Sequence, residues 1–157
     1  EKFCNFEKHL KTNTMSFSDL FDSGSKSRNK GYFASFVKIA YSDNILTDDE
    51  KKFLDRIALK LDISADEYQE IVENPDKYPV DPPYLYIHRL ERLYDLGRMV
   101  YADHVLGYKQ KEILSRYALY LGFTPGNIPY IVDKALSLLF LNVDLETFMY
   151  EMQHMNK

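Results

Sequence analysis

The chain has 157 residues, a net charge of −4 and a pI near 5.6. That length suits one domain with a core of its own, and the acidic balance excludes a nucleic-acid backbone as the main partner. Cys4 is the single cysteine, so no intrachain disulfide can form.

The longest apolar run, around Leu136–Leu141, falls far short of the roughly 20 residues a membrane-crossing helix needs. No signal-peptide pattern is present, and the expectation is a cytoplasmic domain with no transmembrane segment. Aromatic residues are almost all Tyr (13) and Phe (10), while Gly and Pro number six each. With no alternating apolar pattern, this composition predicts an all-α fold of about seven or eight helices in a single domain.

In chain order, Phe3, Phe6 and Leu10 predict a short helix, and the Ser-, Asn- and Asp-rich Thr12–Ser27 predicts a loop. Residues 1–27 are therefore read as an N-terminal extension to a helical domain over 28–157, with Met15 a candidate start. From about Arg28, Phe33, Phe36, Val37 and Ala40 mark a helix face. Thr47 with Glu50, and Ser64 with Glu67, are capping boxes: a hydroxyl N-cap with a Glu three residues on. The helix between them carries Phe53, Leu54, Ile57, Ala58 and Leu61 on one side. Four prolines between Asn74 and Pro83 then forbid a helix and define a linker.

Beyond the linker the pattern returns. Shifted by sixty residues, Phe36–Val72 lies on Leu96–Val132 without a gap, and eleven of 37 pairs are identical. This predicts an internal duplication, with repeats over 30–73 and 90–133 related by a pseudo-two-fold. Two copies are too few for a solenoid, so the halves should bury their apolar faces against each other. A helix from about Pro129 to Phe140 and another after Asp144 complete the expected order.

Charge divides unevenly. Between Ser42 and Asp81 twelve acids face five bases, a net of −7. Such a field favours a cation or a basic partner, although acids in first helical turns also answer the helix dipole. The turn Asp43-Asn-Ile-Leu-Thr-Asp-Asp-Glu50 lacks the alternating oxygens, central Gly and terminal Glu of an EF-hand. A looser site built from Asp43, Asp48 or Asp49, and Glu50 remains, for a divalent cation such as calcium, magnesium or zinc. Cys4 lies outside the repeats, and His9, His88, His104 and His154 lack metal-ligand spacing. With no Gly-rich phosphate loop either, the chain reads as a non-enzyme. Arg56 and Arg116 occupy equivalent positions and are expected to pair with turn acids, Asp43 and Asp103.

At this turn the sequence resembles the TerB-like tellurite-resistance family. Its signature runs small residue, Ala-Asp-Gly, apolar residue, hydroxyl or acid, then Glu leading into a helix. Here the motif stands as Tyr41-Ser-Asp43-Asn-Ile-Leu-Thr47-Asp-Asp-Glu50 and again as Tyr101-Ala-Asp103-His-Val-Leu-Gly-Tyr-Lys-Gln110. The resemblance spans about Lys30 to Leu141. It implies a pseudo-symmetric, all-helical cytoplasmic domain of the stress response with acidic metal-binding residues, carried here by Asp43 and Glu50, with Asp103 contributing across the two-fold. The family Gly is Asn44 in one copy and His104 in the other, and both are expected at left-handed backbone angles. Gln110 replaces the family Glu, so the second copy should not hold a metal. The alternative function is a helical adaptor whose Tyr-rich and acidic surfaces bind a protein partner of basic or membrane-associated character.

Overall fold

The computed structural model describes residues 26–102 and 109–155, and within them the protein is all-α with no strand. Seven α-helices follow in order: α1 (Lys26–Ala40), α2 (Asp48–Lys60), α3 (Ala65–Glu73), α4 (Tyr86–Tyr101), α5 (Lys109–Tyr120), α6 (Ile128–Phe140) and α7 (Leu145–Gln153). Single 3₁₀ turns at Pro75–Lys77 and Pro125–Asn127 sit between α3 and α4 and before α6. The expected helix at Phe3, Phe6 and Leu10, the expected loop Thr12–Ser27 up to its last two residues, and the residues Asp103 and His104 lie outside the described residues.

Local chemistry sets the helix ends. Both predicted capping boxes form: the Thr47 and Ser64 hydroxyls accept from the Glu50 and Glu67 backbone N–H groups, each at 3.2 Å. The two glutamates reach back to the N-cap backbone N–H groups at 2.9 Å. Asp144 caps α7 through Thr147 N–H at 2.8 Å. At the other ends, α2 and α5 terminate alike. Asp62 takes φ 55° and Gly122 φ 87°, while Ile63 N–H donates to Ala58 O at 2.9 Å and Phe123 N–H to Ala118 O at 3.2 Å. These bonds satisfy carbonyls that a helix end otherwise leaves open. The terminators lie sixty residues apart, at the offset of the sequence match. Asn44 takes φ 61° in the turn after α1, the left-handed angle expected of it.

Helices α1 and α4 form the middle of the molecule. On α1 the run Gly31–Val37 is buried on every side, and α4 buries Leu93–Gly97 together with Met99 and Val100. A helix covered all round needs partners on all faces. For α1 these are α2, α3, α5 and the Pro75–Lys77 turn; for α4 they are α5, α6 and α7. The two halves thus share one core, because α1 of the first half packs directly on α5 of the second. Phe36 on α1 stacks on Tyr117 of α5 (4.9 Å between centroids, 5° between planes) and meets Phe53 of α2 edge-on at 5.7 Å.

The linker lies on α1 where a glycine lets it. A Cβ built on Gly31 would stand 2.9 Å from the Pro79 carbonyl oxygen, which belongs to backbone and cannot swing aside. Alanine is the better helix former by about 1 kcal/mol, yet Gly31→Ala is expected to destabilise the protein by about 1–2 kcal/mol through overpacking. Urea unfolding checks the sign: a Gly31→Ala chain more stable than the native one contradicts this docking.

Candidate functional site

Of the expected metal ligands, the structure brings Asp43 and Glu50 to one hollow. It has about 200 Å³ and lies where the end of α1 and the starts of α2 and α5 meet, with Phe36, Ile39, Phe53 and Ile113 as apolar walls. Glu50 is 9% exposed, and both of its carboxylate oxygens are engaged. Oε2 accepts from the Thr47 backbone N–H and hydroxyl at 2.9 and 2.8 Å, and Oε1 accepts from Lys109 Nζ at 2.8 Å. Burial pushes this carboxyl up, but Lys109 and the two Thr47 donors outweigh it and hold it below the usual carboxylate range. Asp43 Oδ1 accepts from Ile45 N–H at 3.1 Å, a side-chain turn that sets up the Asn44 geometry.

Asp48 and Asp49 stand in the exposed first turn of α2 and do not line the hollow. Asp103 lies outside the described residues. Among those residues no group of three or more His, Cys, Asp or Glu side chains gathers as a metal would require. In place of a metal, the cation beside Glu50 is the Lys109 ammonium.

Gln110 has a structural role at the start of α5. Gln110 Nε2 donates to the Val100 and Tyr101 carbonyls at 3.3 and 3.0 Å, tying α5 to the end of α4. A glutamate cannot donate that bond. Arg116 pairs with Glu112 one turn away on its own helix at 3.0 Å.

Three of the twelve acids of the first half, Asp62, Glu67 and Asp76, are reached by lysines of α1. Lys26 and Lys30 reach Glu67 at 3.2 and 3.3 Å, and Lys38 reaches Asp76 at 3.0 Å. The Ser64 backbone N–H and these two lysines bring the Glu67 carboxyl down to about 2. Glu50 and Glu67 therefore serve both as helix caps and as inter-helix ties.

The exposed apolar surface lies elsewhere. Two hollows adjoin at the C-terminal ends of α4 and α6 and share Tyr101 and Phe140. One, of about 560 Å³, is lined by Tyr101, Leu136, Phe140 and Leu141 with Lys111 and Gln110 at its side. The other, of about 320 Å³, is lined by Leu139, Phe140 and Val143 with Lys60 and Arg98. Phe140 is 72% and Leu141 67% exposed, a cost in water that a folded chain normally avoids for adjacent large side chains. Together the hollows form an apolar groove edged by Lys60, Arg98 and Lys111, with no carboxylate among the described residues of its lining, though Lys111 pairs with Asp133 at 2.6 Å.

Sequence reasoning did not single out this groove, but a signal was present. The core face of α6 is Ile128, Ile131, Val132, Ala135, Leu138 and Leu139. Leu136 and Phe140 form a second apolar pair, four residues apart, off that face. A third cleft, of about 750 Å³, runs under the proline linker between Arg28, Arg92, His88, Asp81 and Glu91. Its opposing charges select no ligand sign.

The chain matches no family model, no curated protein and no solved structure. Among the described residues, no helix is long and apolar enough to cross a membrane.

Proposed function

We propose that the protein is a non-catalytic, TerB-like helical adaptor that binds an acidic amphipathic helix of a protein partner in the groove at the ends of α4 and α6. The observation that carries this reading is the groove itself: Phe140 and Leu141 stand exposed beside apolar hollows, and every charged residue among the described ones in the lining is basic. Apolar anchors at i, i+3 and i+4 fill such a groove, and acidic flanks meet the rim. The partner's sign is thus opposite to the one suggested by the acids of the first half, because α1 lysines already pair with several of those acids. The weak cation site expected at Asp43 and Glu50 is the less favoured function, since binding there must displace Lys109 and break the α2 capping box.

The test uses a fluorescent 14-residue peptide with Phe, Leu and Phe at positions i, i+3 and i+4 and Asp or Glu between them. The full chain is expected to bind it saturably, with affinity falling as salt rises. Phe140→Asp is expected to weaken binding by at least about tenfold, as loss of a central aromatic anchor does, and Lys60→Glu to reduce the salt dependence. Equal binding by the native chain and Phe140→Asp, or none by either, overturns the adaptor reading at this groove.

A further inference from the structure

The cleft under the proline linker suits a ligand of its own: we propose that it binds a small zwitterion, a free α-amino acid with an apolar side chain. The proposal is independent of the groove at the ends of α4 and α6. Its ground is a cleft of about 750 Å³ whose lining carries charges of both signs that are not paired with one another. Neither an anion nor a cation alone suits such a lining, whereas a molecule with one charge of each sign does.

Three elements build the cleft. Arg28 and Tyr32 stand at i and i+4 on α1, and His88, Glu91 and Arg92 at i, i+3 and i+4 on α4, so each set shares a helix face. The linker adds Asp81, and Gly31 is what lets the linker lie against α1 at Pro79. Arg28, Arg92, Asp81 and Glu91 form no ion pair and no side-chain hydrogen bond among the described residues. Arg92 also acts on the buried Asp95, but no ion pair joins them. Two guanidinium and two carboxylate groups are thus left to solvent or a ligand.

Tyr32 is a second, independent mark of a binding site. It is 1% exposed and lines the cleft, and its hydroxyl makes no hydrogen bond among the described residues. A buried tyrosine hydroxyl normally finds a partner. Burial pushes its pKa up; Arg92 and Arg28 act against that rise, and Asp95 and Asp81 add to it. Charges of both signs therefore surround one unanswered hydroxyl.

Chemistry assigns the parts of the ligand. Its carboxylate suits the planar guanidinium forks of Arg28 and Arg92, with the Tyr32 O–H as a further donor. Its ammonium suits Asp81 and Glu91. Pro82, Pro83 and Tyr84 provide an apolar wall for the side chain. An α-amino acid carries both charges on one carbon, as donors and acceptors gathered in a single cleft require.

The experiment titrates the full chain with L-phenylalanine by isothermal calorimetry. N-acetyl-L-phenylalanine and L-phenylalaninamide serve as probes that lack the positive and the negative charge. L-phenylalanine is expected to bind saturably, and each single-charge probe at least about tenfold more weakly, as loss of a charge-assisted hydrogen bond dictates. Arg28→Gln and Asp81→Asn, both at exposed positions, are each expected to weaken L-phenylalanine binding about tenfold. Matching urea midpoints verify the fold, and variants on two separate elements keep the test readable if one of them fails to fold. Equal binding of all three probes assigns an apolar contact alone and overturns the proposal. Binding unchanged in both variants, or none at millimolar L-phenylalanine, overturns it as well.

Discussion

Replacing Asp95 with asparagine is expected to leave stability nearly unchanged at pH 4 and to raise it by about 4 kcal/mol at pH 8. Asp95 lies on the covered side of α4, 2% exposed, and its Oδ2 has no hydrogen-bond partner. Burial pushes its carboxyl from 3.8 up to about 7, against the pull of Arg92 and Arg98 and with a small push from Glu91. Tyr32 of α1 and Tyr117 of α5 feel its charge from the opposite side, and both are themselves pushed up by burial. The folded protein thus holds a proton that the unfolded chain releases between about pH 4 and pH 7. In that window the folded state binds more protons, so stability falls as pH rises. The rise from 3.8 to about 7, at about 1.4 kcal/mol for each tenfold change in acidity, gives the size. Asparagine cannot ionise, so the variant escapes the loss. Urea midpoints of native and Asp95→Asn chains from pH 4 to pH 8 should diverge steadily; parallel curves would mean that the carboxyl is ionised in the fold throughout.

Phe36→Ala is expected to cost about 4 kcal/mol, the middle of the range for loss of a buried aromatic. Phe36 is fully buried and joins the two halves by stacking on Tyr117 while touching Phe53. The cavity would open at the junction of α1, α2 and α5, where three helices fix the walls and limit collapse. Tyr117→Phe is the control. Its hydroxyl is buried without a partner, so removing it is expected to be neutral or stabilising. A Tyr117→Phe loss as large as that of Phe36→Ala would show that the hydroxyl has a partner.

The parts of the fold legible in the sequence were those decided within a few residues. Thr47 with Glu50 and Ser64 with Glu67 announced two helix starts, and Asn44, a residue type that tolerates the left-handed region, was expected at its positive φ. The functional reading of Glu50 was not legible, because its partner Lys109 lies 59 residues away. Part of the neutralisation of the acidic window from Ser42 to Asp81 was hidden for the same reason: Lys26, Lys30 and Lys38 fall before it in sequence and reach Glu67 and Asp76 in space. Asp95 gave no warning, since one polar residue in a helix reads as an exposed position until the neighbours on every side are known. The groove depends on two helix ends meeting, with Tyr101 of α4 beside Phe140 of α6; only the off-face pair Leu136 and Phe140 hinted at it.

The groove itself is tested most directly by titrating the isotope-labelled full chain with the acidic Phe/Leu/Phe peptide and following backbone amide shifts by NMR. The account predicts saturable shifts clustered at Arg98–Ala102, Leu136–Val143 and Lys60, with the amides around Asp43 and Glu50 unmoved. Shifts centred on Asp43, Glu50 and Lys109 instead, or none at all at saturating peptide, would contradict it.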